Sequence, residues 1–147
     1  MKLMAIVAAA ILAGPAGAQP PSRQQIFCAE LRRVVQVAEL GGDFTYLERS
    51  RAAPPRLGFR HGCRATGDEK RRYWMCSQNL SPDEMSRDAL AARVAECLPE
   101  AVRSTGDFAR ETLFTLSYAQ IRISEFGGPR AKVGRIVQLV VEATPAP

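Results

Sequence analysis

From Ser22 to Leu40, apolar side chains recur at Phe27, Leu31, Val34 and Ala38, the spacing of one face of an α-helix. Ser22-Arg23-Gln24-Gln25 fits the S-x-x-Q capping box, in which serine and glutamine each satisfy a backbone N–H left free by the first turn. Cys28 and Val35 widen the apolar stripe, which directs Cys28 inward. Gly41-Gly42 ends the helix by accepting the left-handed conformation. A second helix is expected from Ser81-Pro82-Asp83-Glu84, where a serine cap, a proline at the first helical position and a glutamate three residues after the cap coincide. Leu90, Val94, Cys97, Leu98 and Ala101 form its apolar face, and Pro99 limits it to about Leu98.

The segments between and after these helices alternate instead. Phe44–Leu47 reads as a short strand, followed by a loop with Pro54-Pro55. Leu57–Ala65 and Tyr73–Gln78 read as a hairpin, with Phe59, Tyr73 and Trp74 favouring strand. Phe59, Cys63, Ala65, Trp74 and Cys76 share its expected inner face. After a polar link at Ser104–Asp107, Phe114, Leu116 and Tyr118 alternate with polar residues. Ile121 and Ile123 continue on the other parity, so a bulge or break is expected near Ala119-Gln120. Gly127-Gly128-Pro129 reverses the chain, Val133, Val137, Leu139 and Val141 form the last strand, and residues 145–147 are a frayed tail. The order is α-β-β-α-β-β. It predicts an α+β two-layer sandwich, with both amphipathic helices on one face of an antiparallel sheet of four to five strands.

The extreme N-terminus belongs to neither pattern. Lys2 is followed by an uncharged apolar run from Leu3 to Ala13, then Gly14-Pro15 and the small residues Ala16-Gly17-Ala18. This is the layout of a secretory signal peptide over residues 1–18, and the run is shorter than the roughly 20 residues needed to cross a bilayer. Cleavage after Ala18 leaves 129 of the 147 residues as a single domain over 19–144 with its tail. The protein is then exported, periplasmic or secreted, and not membrane-spanning after cleavage. The whole chain is 46% hydrophobic and 24% charged, enough apolar material for a core and too little net charge (+5) for disorder.

Export changes the meaning of the four cysteines, Cys28, Cys63, Cys76 and Cys97. An even number in an oxidising compartment reads as two disulfides, with three possible connectivities. A hairpin folded between Glu69 and Lys70 places opposite one another the residues whose numbers sum to 139, and Cys63 and Cys76 satisfy that sum. Facing Cβ atoms in such a pair are about 4.5–5.5 Å apart, near bridging distance. Cys28 and Cys97 are left to each other, both on inward helix faces. The sequence has no C-x-x-C and no close pair of zinc ligands, so redox and metal roles have no support.

Candidate chemistry beyond this is sparse. His61 is the sole histidine, and a lone histidine beside arginines is more often a surface residue than a catalyst. No G-x-S-x-G, H-E-x-x-H or P-loop is present. Asp68/Glu69 and Asp83/Glu84 sit where turns and helix starts favour acids. Asn79-Leu80-Ser81 matches a glycosylation sequon by chance, because its serine is the expected helix cap. Residues 49–72 gather Arg49, Arg51, Arg56, Arg60, Arg64, Lys70, Arg71 and Arg72 against Asp68 and Glu69. Of these, Arg56, Arg60, Arg64, Lys70, Arg71 and Arg72 are candidate contacts to an anionic envelope component or an acidic protein. The competing reading is a solvated loop and strand face.

The sequence therefore points to a small exported binding or interaction domain without cofactor, metal or nucleic-acid partner, using an exposed sheet face or the basic region. One alternative is an accessory protein held electrostatically to anionic envelope material through 49–72. Another is an enzyme with an unrecognised site, for which acidic residues, His61 or Tyr73 must converge in a pocket.

Overall fold

The computed structural model describes residues 17–68, 70–81, 85–108, 110–128, 130, 132 and 134–145. Most of the expected export signal (1–16), the end of the tail (146–147) and Pro82, Asp83, Glu84, Pro129 and Val133 therefore lie outside the described residues.

Helix α1 runs from Arg23 to Glu39 and begins as its sequence dictates. Gln25 N–H donates to Ser22 Oγ at 3.1 Å, and Ser22 N–H donates to Gln25 Oε1 at 2.7 Å, closing the capping box. Gly41 and Gly42, with φ of 108° and 76°, turn the chain out of the helix. The segment expected as a strand at 44–47 is instead the short helix α2, Thr45–Arg49. Phe44 and Leu47 are both fully buried. An odd separation in a strand would send them to opposite faces, whereas three residues of helical turn keep them on one side.

The expected helix start at Ser81 also moves. Leu80 is still paired with Arg135 in the sheet, and Pro82, Asp83 and Glu84 lie outside the described residues. Helix α3 spans Arg87–Cys97 and is capped by Ser86, whose Oγ accepts from Ala89 N–H at 3.1 Å.

The strands are β1 (Cys63–Gly67), β2 (Arg72–Leu80), β3 (Val102–Thr105), β4 (Glu111–Thr115), β5 (Ala119–Gly127) and β6 (Arg135–Ala143). They form one six-stranded antiparallel sheet in the order β1-β2-β6-β5-β4-β3, which makes the protein α+β with more strands than the four to five expected. Two features of the chain account for the difference. The polar link at 104–107 overlaps β3, an edge strand whose four residues are all exposed, so no apolar alternation marks it. The expected strand through Phe114, Leu116 and Tyr118 is two strands: the chain reverses at 116–118, and Phe114 pairs with Ile121 across the turn. The first hairpin keeps the predicted register, with Cys63 opposite Cys76 and Ala65 opposite Trp74. Its first strand is shorter than expected: Leu57 and Phe59 are buried from a turn preceding it rather than from the strand itself. The last strand starts at Arg135.

One core cluster joins these elements. Trp74, Cys76, Ile121, Ile123, Val137, Leu139 and Val141 point to the same side of the sheet and are fully buried. Phe27, Leu31 and Val34 of α1 and Leu90 and Val94 of α3 belong to the same cluster. Helix α1 packs on β5, β6 and α3, helix α3 on β5, and α2 on β1. The α1–α3 contact is bolted by the Cys28–Cys97 disulfide, Cα to Cα 5.1 Å. Around it, Gln24 Nε2 donates to the Arg93 carbonyl at 3.2 Å and Arg93 Nε donates to Gln24 Oε1 at 2.9 Å. The Arg93 guanidinium lies 4.1 Å from the Phe27 ring centre, a cation–π contact. The second disulfide, Cys63–Cys76, ties β1 to β2 with Cα atoms 4.2 Å apart. All four cysteines are thus paired as the hairpin register predicts.

Candidate functional site

Strand alternation that sends Ile121, Ile123, Leu139 and Val141 toward the helices sends their neighbours the other way. Arg122 and Ser124 of β5, Gln138, Val140 and Glu142 of β6, Tyr73 and Met75 of β2 and Glu111 of β4 therefore share the face opposite α1 and α3, open among the described residues. The register places Met75 beside Val140, Val140 beside Arg122, and Ser124 between Gln138 and Glu111. These side chains line a hollow of about 620 Å³, with Phe108 and Phe126 also on its wall.

The polar part of the hollow is an ion-pair chain. Arg122 Nη2 donates to Glu142 Oε1 at 3.2 Å, and Arg122 Nε lies 3.3 Å from Glu111 Oε1. Arg71 grips the other oxygen of Glu142, with Nε at 2.9 Å and Nη2 at 2.7 Å. Ser124 Oγ donates to Glu111 Oε1 at 3.2 Å. Glu111 and Glu142 are buried, so their charges depend on these partners rather than on water. Beside this chain lie incompletely engaged groups. Arg122 Nε is buried without a hydrogen bond among the described residues. Among the described residues, Gln138 Nε2 donates to the Met75 sulfur, at 3.2 Å. The walls are apolar at Met75 and Val140, and Phe108 and Phe126 are 72% and 50% exposed.

The residues singled out by sequence are distributed elsewhere. Arg56 and Arg60 sit together on the turn before β1, where Arg56 Nη2 donates to the Arg60 carbonyl and Arg60 N–H donates to Gln78 Oε1 at 2.8 Å. Arg64 and the exposed His61 line a smaller hollow of about 210 Å³ with Met75 and Ser77. Lys70, Arg71 and Arg72 lie at the opposite end of the β1–β2 hairpin, beyond a strand of five residues, roughly 17 Å at ordinary strand rise. Arg72 Nη1 is 3.5 Å from Asp43 Oδ1, and Arg71 is committed to Glu142. The basic run is thus split between two ends of one hairpin, with Arg71 alone reaching the large hollow. Asp68 shapes the turn: Arg71 and Lys70 N–H donate to its Oδ1 at 2.9 and 2.8 Å and hold its carboxyl below the ordinary carboxylate range. Asn79 is an exposed residue of β2 paired with Ile136.

Glu111, Arg122, Gln138 and Glu142 were not singled out by sequence reading. The available signal was the alternation itself: Arg122 and Ser124 interleave with Ile121 and Ile123, and Gln138 and Glu142 with Val137, Leu139 and Val141. Among the described residues, no group of three or more histidine, cysteine or acidic side chains could hold a metal ion, and no helix is long and apolar enough to cross a membrane. Comparison with known proteins gives no match to this chain among family models, curated proteins or solved structures.

Proposed function

We propose that the chain is an exported, non-catalytic binding protein whose ligand seats in the hollow on the open face of the sheet. The observation that carries this reading is the hollow itself: about 620 Å³, within the roughly 300–1,000 Å³ usual for ligand pockets, with Met75, Val140, Phe108 and Phe126 beside a largely charged remainder of the lining. The two disulfides fit an oxidising compartment and make the surrounding scaffold rigid, which lowers the ordering cost of binding.

The enzyme alternative draws on the same place, because Tyr73, Glu111 and Glu142 line it together. Yet both oxygens of Glu142 face guanidinium groups, and Glu111 accepts from Ser124 beside Arg122. Two carboxylates engaged in this way serve as hydrogen-bond frames for the guanidinium groups, and this supports the binding reading. The anionic-envelope alternative draws on Arg56, Arg60, Arg64, Lys70, Arg71 and Arg72, which are spread along the β1–β2 hairpin rather than gathered at the hollow.

Capture of ligands from an envelope fraction by immobilised protein tests the reading. Wild type is compared with Val140→Lys, which plugs the hollow, and with Arg56→Ala/Arg60→Ala, which strips one basic end. A ligand retained by the basic-end variant at high salt and lost with Val140→Lys is the expected result. A ligand lost with the arginines and eluted by salt transfers the function to the basic region.

A further inference from the structure

The chemistry of the hollow narrows its ligand, on the premise just proposed that the open face is the binding surface. We infer that it takes an uncharged, polyhydroxylated ring compound: a short neutral oligosaccharide.

The charges come first. Arg71 and Arg122 already face Glu142 and Glu111 at 2.7–3.3 Å. Displacing Glu142 or Glu111 from these guanidinium groups would leave a buried carboxylate without its partner, which is strongly unfavourable. A neutral ligand leaves both pairs in place.

The same network still offers hydrogen bonds. Among the described residues, the Gln138 amide nitrogen donates to a weakly accepting sulfur, that of Met75. Tyr73, two residues along β2 from Met75, adds a hydroxyl. A sugar hydroxyl is donor and acceptor at once, so one group placed between a guanidinium N–H and an amide or carboxylate oxygen satisfies both. Bonds to the ionised members are the stronger kind.

The walls supply the other half of sugar recognition. Phe108 and Phe126 are largely exposed, an unusual position for large aromatic rings, and their electron-rich faces suit the C–H face of a pyranose. An extended peptide fits less well. The strands that floor the hollow, β5 and β6, are interior, so their backbone groups are already paired in the sheet and can add no further strand.

Isothermal titration with short malto-, cello- and chito-oligosaccharides tests this, using wild type, Gln138→Ala and Phe108→Ala, each first matched to wild type by circular dichroism. One series is expected to bind, about tenfold more weakly in either variant, with affinity changing less than about twofold between low and high salt. Binding by none of the series, binding unaltered in both variants, or binding abolished by salt overturns the inference. If no saccharide binds but envelope capture still requires an unplugged hollow, the saccharide chemistry is wrong and the binding face stands. If plugging with Val140→Lys leaves envelope capture unchanged, the face itself is wrong.

Discussion

The guanidinium of Arg122 donates to the carboxylate of Glu142 at 3.2 Å, diagonally across β5 and β6, on the sheet face opposite α1 and α3. Glu142 is buried there, with Arg71 on its other oxygen. Truncation of Arg122 leaves two buried carboxylates short of a partner. Arg122→Ala is expected to lower stability by about 3 kcal/mol in urea unfolding, and Arg122→Met combined with Glu111→Gln and Glu142→Gln to recover most of it. Equal losses in both proteins contradict the ion-pair frame.

The two disulfides close loops of very different length, 69 and 13 residues in sequence separation. Chain-entropy arguments give about 4 kcal/mol for the longer and about 3 kcal/mol for the shorter. Cys28→Ala/Cys97→Ala is therefore expected to be the more damaging pair, read from guanidinium unfolding midpoints. The opposite order contradicts a mainly entropic role.

Asp68 carries a pH dependence with a definite sign. Its folded carboxyl is held below the ordinary value by the Arg71 and Lys70 N–H groups, so its contribution is present above pH about 4 and is lost as the pH falls through the folded value. Asp43 shifts in the same direction, through the Thr45 hydroxyl first and then Arg72, and contributes in the same window. Asp68→Asn keeps an acceptor without the charge and is expected to flatten, not abolish, the acid limb of a stability–pH curve. An unchanged limb contradicts the assignment.

Gly67 ends β1 with φ of 103°, and a Cβ there would meet the Arg71 carbonyl oxygen at 2.0 Å. Gly67→Ala strains both backbone and turn and is expected to cost about 2 kcal/mol or more. The measurement is thermal unfolding alongside Gly128→Ala, whose Cβ meets nothing within 4 Å. Similar shifts in the two variants contradict the tight turn.

How far the fold was legible depends on whether local pattern and tertiary demand agree. The 139-sum register of the first hairpin was readable because a polar turn and two cysteines specify the same alignment. Helix α1 was readable because cap, periodicity and terminating glycines coincide. The edge strand β3 was not, since Val102, Arg103, Ser104 and Thr105 are exposed on both faces and show no burial pattern. The start of α3 was misplaced because Ser81-Pro82 carries cap chemistry while Leu80 is still held in the sheet by Arg135. The hollow escaped for a different reason: Glu111, Arg122 and Glu142 come from three strands, and only the register brings their charges together. Arginines dense in sequence drew the eye, yet the hairpin sends them to opposite ends.

The most direct test of the open-face account is amide and side-chain chemical-shift mapping by NMR on the mature protein, titrated with its captured ligand. Shifts centred on Tyr73, Met75, Arg122, Gln138 and Val140, with α1, α3 and the Arg56–Gly62 turn silent, are the predicted result. Shifts centred on Arg56, Arg60, Lys70 and Arg72, with the β5–β6 face silent, would contradict it.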